Sequence, residues 1–179
     1  MPDVRQTITD FYRVAQERDF SRDFQFRVLN IQNGDGSVVV SEDDLVYAKG
    51  GVIPGREISE NVVSYMGLDF RVPGGAKYNG SYSIQFLCDK GDTLRNLMLN
   101  WTRATFDDAT STGNYFVPKE TSIVDLVQLD TQLERVAQYT LVGAYPKSIG
   151  DITYNLEGTG APVTFDLTLG YHYVRNESF

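Results

Sequence analysis

The 179-residue chain has one cysteine, Cys88, and one histidine, His172. A lone thiol excludes an internal disulfide framework and suits a reducing compartment. Without a second histidine, a nitrogen–sulfur metal site would need Cys88 together with carboxylates. Excess positive charge is missing too: 16 Lys and Arg stand against 24 Asp and Glu, a formal charge of −8. Such a chain lacks the basic footprint with which nucleic-acid binders hold phosphate. No apolar run approaches the roughly 18 residues of a membrane-spanning helix. The opening MPDVRQTITDFYRVAQERDF holds no signal-like apolar core. A soluble protein, not exported through a cleaved signal, is expected. In that setting the Asn-x-Ser/Thr triplets at Asn79, Asn100 and Asn176 carry no meaning as glycan acceptors.

Catalytic signatures are also absent. There is no Gly-x-Ser-x-Gly elbow. The Gly pairs 50–51 and 74–75 lack the Gly-Lys-Ser/Thr ending of a phosphate loop, and NGDGS (33–37) precedes a strand pattern rather than a helix. SEDD (41–44) lacks the spaced oxygen ligands and the Gly of a calcium loop, so it reads as solvated charge, as does Asp107-Asp108. His172 falls on the polar parity of a strand, an ordinary surface position. Cys88 shares its parity with Tyr82, Ile84 and Phe86 and reads as a small buried hydrophobe. No polar constellation converges, so no enzyme, cofactor or metal is expected.

What the chain does hold is aromatic and apolar: 41% hydrophobic residues, with eleven Tyr and ten Phe, a supply that favours strands over a helix bundle. Val4, Ile8, Phe11 and Ala15 make one helical stripe, predicting a short helix that ends near residues 16–18. FQFRVLNI (24–31) alternates as a half-buried strand, and SVVV and DLVYAKG are strand-like around the acidic SEDD. SYSIQFLCD is a further strand. GDTLRNLMLNWTRATF then predicts the core helix: Leu94, Leu97, Met98 and Trp101 recur at i, i+3, i+4 and i+7, with Asp92 as N-cap and Arg103 in the last turn. The polar stretch 107–122 is long enough to be a binding loop or a disordered one. In the final third Val163, Phe165, Leu167, Leu169, Tyr171 and Tyr173 share one parity, predicting a strand about 35 Å long.

ISENVVSYMGLDFRV (58–72) reads as a hairpin about a Met66-Gly67 turn. Ile58, Val62 and Met66 share one parity with Glu60 and Ser64, while Leu68, Phe70 and Val72 alternate with Asp69 and Arg71. Buried, those six apolar side chains would contribute on the order of 10 kcal/mol. A lone hairpin is marginal in water, so this one must cover its own domain or a neighbour. The fold expected is α+β, mainly β, in a single domain over residues 1–179. It comprises an antiparallel β-sandwich or barrel, one packed helix, a short N-terminal helix and a long protruding hairpin.

These landmarks, taken in order, resemble the tail tube proteins of contractile-tailed, T-even-type bacteriophages. The resemblance rests on RDFSRDFQFRVLNI, VIPGREISENVVSYMGLDFRVPG, YNGSYSIQFLCDKGDTLRNLMLNW, GAYPKSIGDITYN and VTFDLTLGYHYV. Two features depart from the family pattern: RDFSRDF lacks the Pro usual between first helix and strand, and segments 33–44 and 107–121 are longer and more polar than usual. The resemblance implies hexameric rings stacked into an inner tube through which DNA passes without specific binding. It further implies sheath, tape-measure, baseplate or initiator and terminator partners, assembly in the host cytoplasm and a place in the virion tail. The inter-subunit hairpin would use Ile58, Val62, Met66, Leu68, Phe70 and Val72, with Glu60 and Asp69 towards the lumen, where like charge repels DNA. Two alternatives stay open: the inner tube of a type VI or phage-like extracellular injection system, and a monomeric β-barrel binding a small ligand.

Overall fold

The computed structural model describes residues 7–113 and 120–178; Val4 and residues 114–119 of the long polar loop lie outside this range. Helix α1 (Ile8–Arg18) opens the chain, capped by a reciprocal pair in which Thr7 accepts from the Asp10 amide and Asp10 accepts from the Thr7 amide. Strand β1 (Phe26–Gln32) follows, then the one-turn helix α2 (Glu42–Leu45), β2 (Ala48–Gly51), β3 (Glu57–Tyr65), β4 (Leu68–Lys77), β5 (Ser81–Leu87) and helix α3 (Thr93–Thr105). The two-residue strands β6 (Phe106–Asp107) and β7 (Thr112–Gly113) pair with each other. The remainder is β8 (Ile123–Leu129), β9 (Arg135–Val142), β10 (Tyr145–Ile149), β11 (Thr164–Gly170) and β12 (Tyr173–Ser178).

Two four-stranded antiparallel sheets, ordered β1-β8-β9-β12 and β10-β11-β5-β2, share one core. The expected mainly-β fold is therefore present, as a sandwich; no closed barrel forms among the described residues. Register follows the apolar parity. In the second sheet Phe165, Leu167 and Leu169 stand opposite Phe86, Ile84 and Tyr82, and the Phe86 and Phe165 rings stack at 5.6 Å between centroids. From the first sheet Val28, Ile31, Val124, Leu126 and Leu141 meet them, all buried. Helix α3 packs against β10. Its Leu94, Met98 and Trp101 are buried, and Leu97 is half-buried at the edge of the same cluster.

Three sequence expectations change. Asp92 sits at the N-cap position of α3 but in the left-handed region (φ 52°), and its side chain caps nothing. Asp89 does so instead, accepting from the amides of Thr93 (3.0 Å) and Leu94 (3.3 Å). The Thr93 amide bond is the main reason its carboxyl titrates below the ordinary value. Asp44 and Leu45, read as strand, belong to α2, where the Ser41 hydroxyl accepts from the Asp44 amide (3.2 Å) and three acidic residues fill the first turn. The long terminal strand is two: β11 lies in one sheet and β12 in the other, and the chain crosses between layers at Tyr171–His172. At that corner Gly143 holds φ +71°, and any Cβ there would collide with the His172 ring.

Candidate assembly surface

The hairpin β3–β4 pairs with neither large sheet and forms a two-stranded sheet of its own. Met66 (φ 50°) and Gly67 (φ 79°) are both in the left-handed region, the signature of a two-residue type I′ turn whose twist matches the flanking strands. The register then follows from the turn: Tyr65 opposes Leu68, Val63 opposes Phe70, Asn61 opposes Val72, and beyond them the pairing slips between Ile58 and Glu60. The slip falls at Gly74–Gly75, where a Cβ on Gly74 would sit 2.5 Å from the Ser59 hydroxyl oxygen and 3.1 Å from its carbonyl oxygen. The Ser59 hydroxyl instead donates to the Gly75 carbonyl (3.0 Å), fastening the bulge.

This register divides the hairpin into unlike faces. Opposed residues share a face, so Val63, Tyr65, Leu68, Phe70 and Val72 form an apolar surface with Asn61 at its inner end. The reverse face carries Ser64 opposite Asp69 and Val62 opposite Arg71, with Glu60 one step on. The Ser64 hydroxyl donates to Asp69 (2.6 Å), and the Arg71 guanidinium meets Glu60 at 2.7 Å. At 72% and 46% exposure that ion pair is a surface contact that contributes little.

The six residues singled out in the sequence therefore do not share a side. Leu68, Phe70 and Val72 lie on the apolar face, Ile58 and Val62 share the strand parity of Glu60, and Met66 stands at the tip. Glu60 and Asp69 both lie on the polar face, in separate rows and with separate partners. Reading each arm separately missed Val63 and Tyr65. The turn held the missing signal, because a two-residue loop at Met66-Gly67 fixes every pairing outward from it. All eight apolar side chains are exposed, from 46% at Val72 to 86% at Met66. Exposed hydrophobic area of this density makes the hairpin a candidate interaction surface.

Other features offer less chemistry. Cys88 is half-buried, its thiol pushed up chiefly by desolvation. His172 is exposed at the sheet corner. Among the described residues no three His, Cys, Asp or Glu side chains cluster in a way that could hold a metal ion. No helix among the described residues is long and apolar enough to cross a membrane. Surface depressions include one of about 450 Å³ between β1 and α2 and one of about 410 Å³ bordered by Val52, Pro54, Tyr82 and Tyr171. The first is bordered by Arg27, Glu42 and Arg135, and the second by no charged side chain.

The family profile described as phage tail tube protein matches residues 15–176. No curated protein matches the chain in sequence. Among solved structures, a chain of the anti-feeding prophage cap, its tube-terminating cap, superposes with a TM-score of 0.65 at 14% identity, covering 90% of this chain and 93% of that one. A chain of the extended sheath–tube complex of the extracellular contractile injection system PVC gives 0.60 at 12% identity, covering 93% and 97%. The PVC sheath/tube terminator gives 0.58 at 14% identity, covering 88% and 96%. At these identities the likeness is one of fold.

Proposed function

The chain belongs to the phage tail tube protein family, and from that premise we propose that its copies join through the β3–β4 hairpin into six-membered rings that stack as an inner tail tube. The observation that carries this is the hairpin itself: a bulged ribbon whose apolar face is exposed and which, among the described residues, pairs with no other strand. Pairing or packing against a neighbour satisfies both its strand edges and its apolar face. A head-to-tail contact that rotates by a sixth of a turn closes a ring, and the two ring faces can stack without limit. The role is structural, without catalysis.

The tube serves as a conduit for DNA during infection. The net charge of −8 supports this, because a wall of like charge lets a polyanion pass without salt-dependent capture. Glu60 and Asp69, on the polar face of the hairpin, are the proposed lumen-side carboxylates. Sheath, tape-measure, baseplate or initiator and terminator proteins are its partners in the virion tail. A second reading, the tube of a contractile injection particle with protein cargo, draws support from the fold shared with the prophage cap and PVC chains.

Negative-stain electron microscopy across a concentration series, with light scattering for mass, tests the assembly. Six-lobed rings or hollow tubes are expected. A monodisperse monomer at millimolar concentration would overturn self-assembly through the hairpin.

A further inference from the structure

A head-to-tail interface joins two different patches of the same chain, and the hairpin supplies one. A second exposed patch repeats at the period of its own element, on α1. Ile8, Phe11, Tyr12 and Ala15 recur at i, i+3, i+4 and i+7, and Phe20 folds back so that its ring stacks on Phe11 at 6.0 Å. No residue of α1 is buried; Ile8 is 72% exposed and Phe11 and Tyr12 are each 59% exposed. Resting on the reading of the hairpin as the subunit contact, we infer that the apolar face of β3–β4 in one copy seats against the α1 stripe of another copy.

Three observations favour a second copy over any other occupant. The patches match in extent: the stripe from Ile8 to Ala15 runs about 10 Å at helical rise, and the face from Asn61 to Tyr65 about 14 Å at strand rise. Their areas suffice. With large side chains about half exposed, each patch offers roughly 500 Å², so pairing them removes roughly 1,000 Å², the threshold for a specific contact. Charge stays off the middle of both patches: Arg13 pairs with Glu17 (3.5 Å) on the far side of α1 and Arg71 with Glu60 on the reverse face of the hairpin, leaving Arg18 at the rim of the stripe, where its guanidinium can stay solvated. The two patches remain exposed in the single folded chain, so they do not cover each other within it.

Mixed cross-linking tests the contact. In a Cys88→Ala background, Ala15→Cys protein is mixed with size-tagged protein carrying Asn61→Cys or Tyr65→Cys, allowed to assemble, and oxidised. A covalent dimer of unlike chains is expected with at least one of the two hairpin positions, at assembling concentrations and not below them. Tubes visible by microscopy without that cross-link would overturn the α1 contact and leave the tube intact. A double Ile8→Asp, Phe11→Asp variant gives a second measurement. Its denaturant-unfolding midpoint should stay close to wild type, because α1 has no buried residue, while the assembly concentration rises tenfold or more; unchanged assembly would overturn the inference. If Phe70→Asp protein assembles like wild type, the hairpin reading itself fails, a result separable from the other two.

Discussion

Replacing Phe70 by Asp isolates what the hairpin contributes to assembly. Phe70 opposes Val63 on the apolar face and is 52% exposed in the folded chain. An aromatic side chain buries about 200 Å² in full, so the half still open here is about 100 Å². At about 25 cal/mol per Å² a neighbour covering it gains about 2.5 kcal/mol. Aspartate forfeits that and adds the desolvation of a carboxylate. Since each 1.4 kcal/mol is tenfold, the concentration for half-assembly should rise at least about fifty-fold, read by sedimentation or light scattering. The fold should be indifferent, because an exposed substitution of this kind stays within about 0.5 kcal/mol, a Tm shift of no more than about 2 °C for a chain this long. Val62→Asp is the control on the opposite face, where Arg71 stands across from it; it should disturb assembly much less. Phe70→Asp protein forming rings at the wild-type concentration, or Val62→Asp proving the more damaging, would refute the two-faced reading.

Other expectations concern the scaffold. Met98→Ala, at a fully buried position in α3, should destabilise by about 2–5 kcal/mol in a denaturant titration. Gly143→Ala should cost about 1–3 kcal/mol through its left-handed backbone, with a further loss from collision with the His172 ring that a second His172→Ala change restores. Asp89→Asn should lower the Tm by a few degrees, whereas Asp92→Asn leaves it nearly unchanged, because only Asp89 accepts the first-turn amides of α3. The folded Asp89 carboxyl titrates below its unfolded value, so its stabilisation is present above about pH 4 and is lost as pH falls through the lowered value. Wild type should therefore lose Tm more steeply than Asp89→Asn on acidification below about pH 4.

Parity carried most of the fold into view. Phe86, Ile84 and Tyr82 stand opposite Phe165, Leu167 and Leu169 because both strands have the same alternation, and Leu94, Met98 and Trp101 fall inward because they keep a helical period. Alternation failed where two elements use the same period. From Val163 to Tyr173 it runs on without interruption, yet the chain changes sheets at Tyr171–His172, and a layer switch leaves the side-chain period untouched. Capping failed for a related reason: Asp92 has the right spacing, but its left-handed backbone turns the side chain away and leaves the role to Asp89. On the hairpin, Leu68, Phe70 and Val72 were legible one arm at a time. Their union with Val63 and Tyr65 needed the cross-strand register, which depends on the conformation of the Met66-Gly67 turn.

The division of β11 and β12 between the two layers also orders events in time. The β3–β4 ribbon is local, closed by a two-residue turn, and hairpins of that kind form within about microseconds. Neither layer of the sandwich can close as early, since β5 needs β11 from about 80 residues downstream and β9 needs β12. During synthesis the sticky ribbon thus exists before the body that aims it, and non-local strand pairing of this kind is slow. On the proposed assembly, newborn chains would therefore pass through an interval in which they can adhere but not yet close a ring, so the concentration of free chains at that moment would set the balance between ordered tubes and tangles.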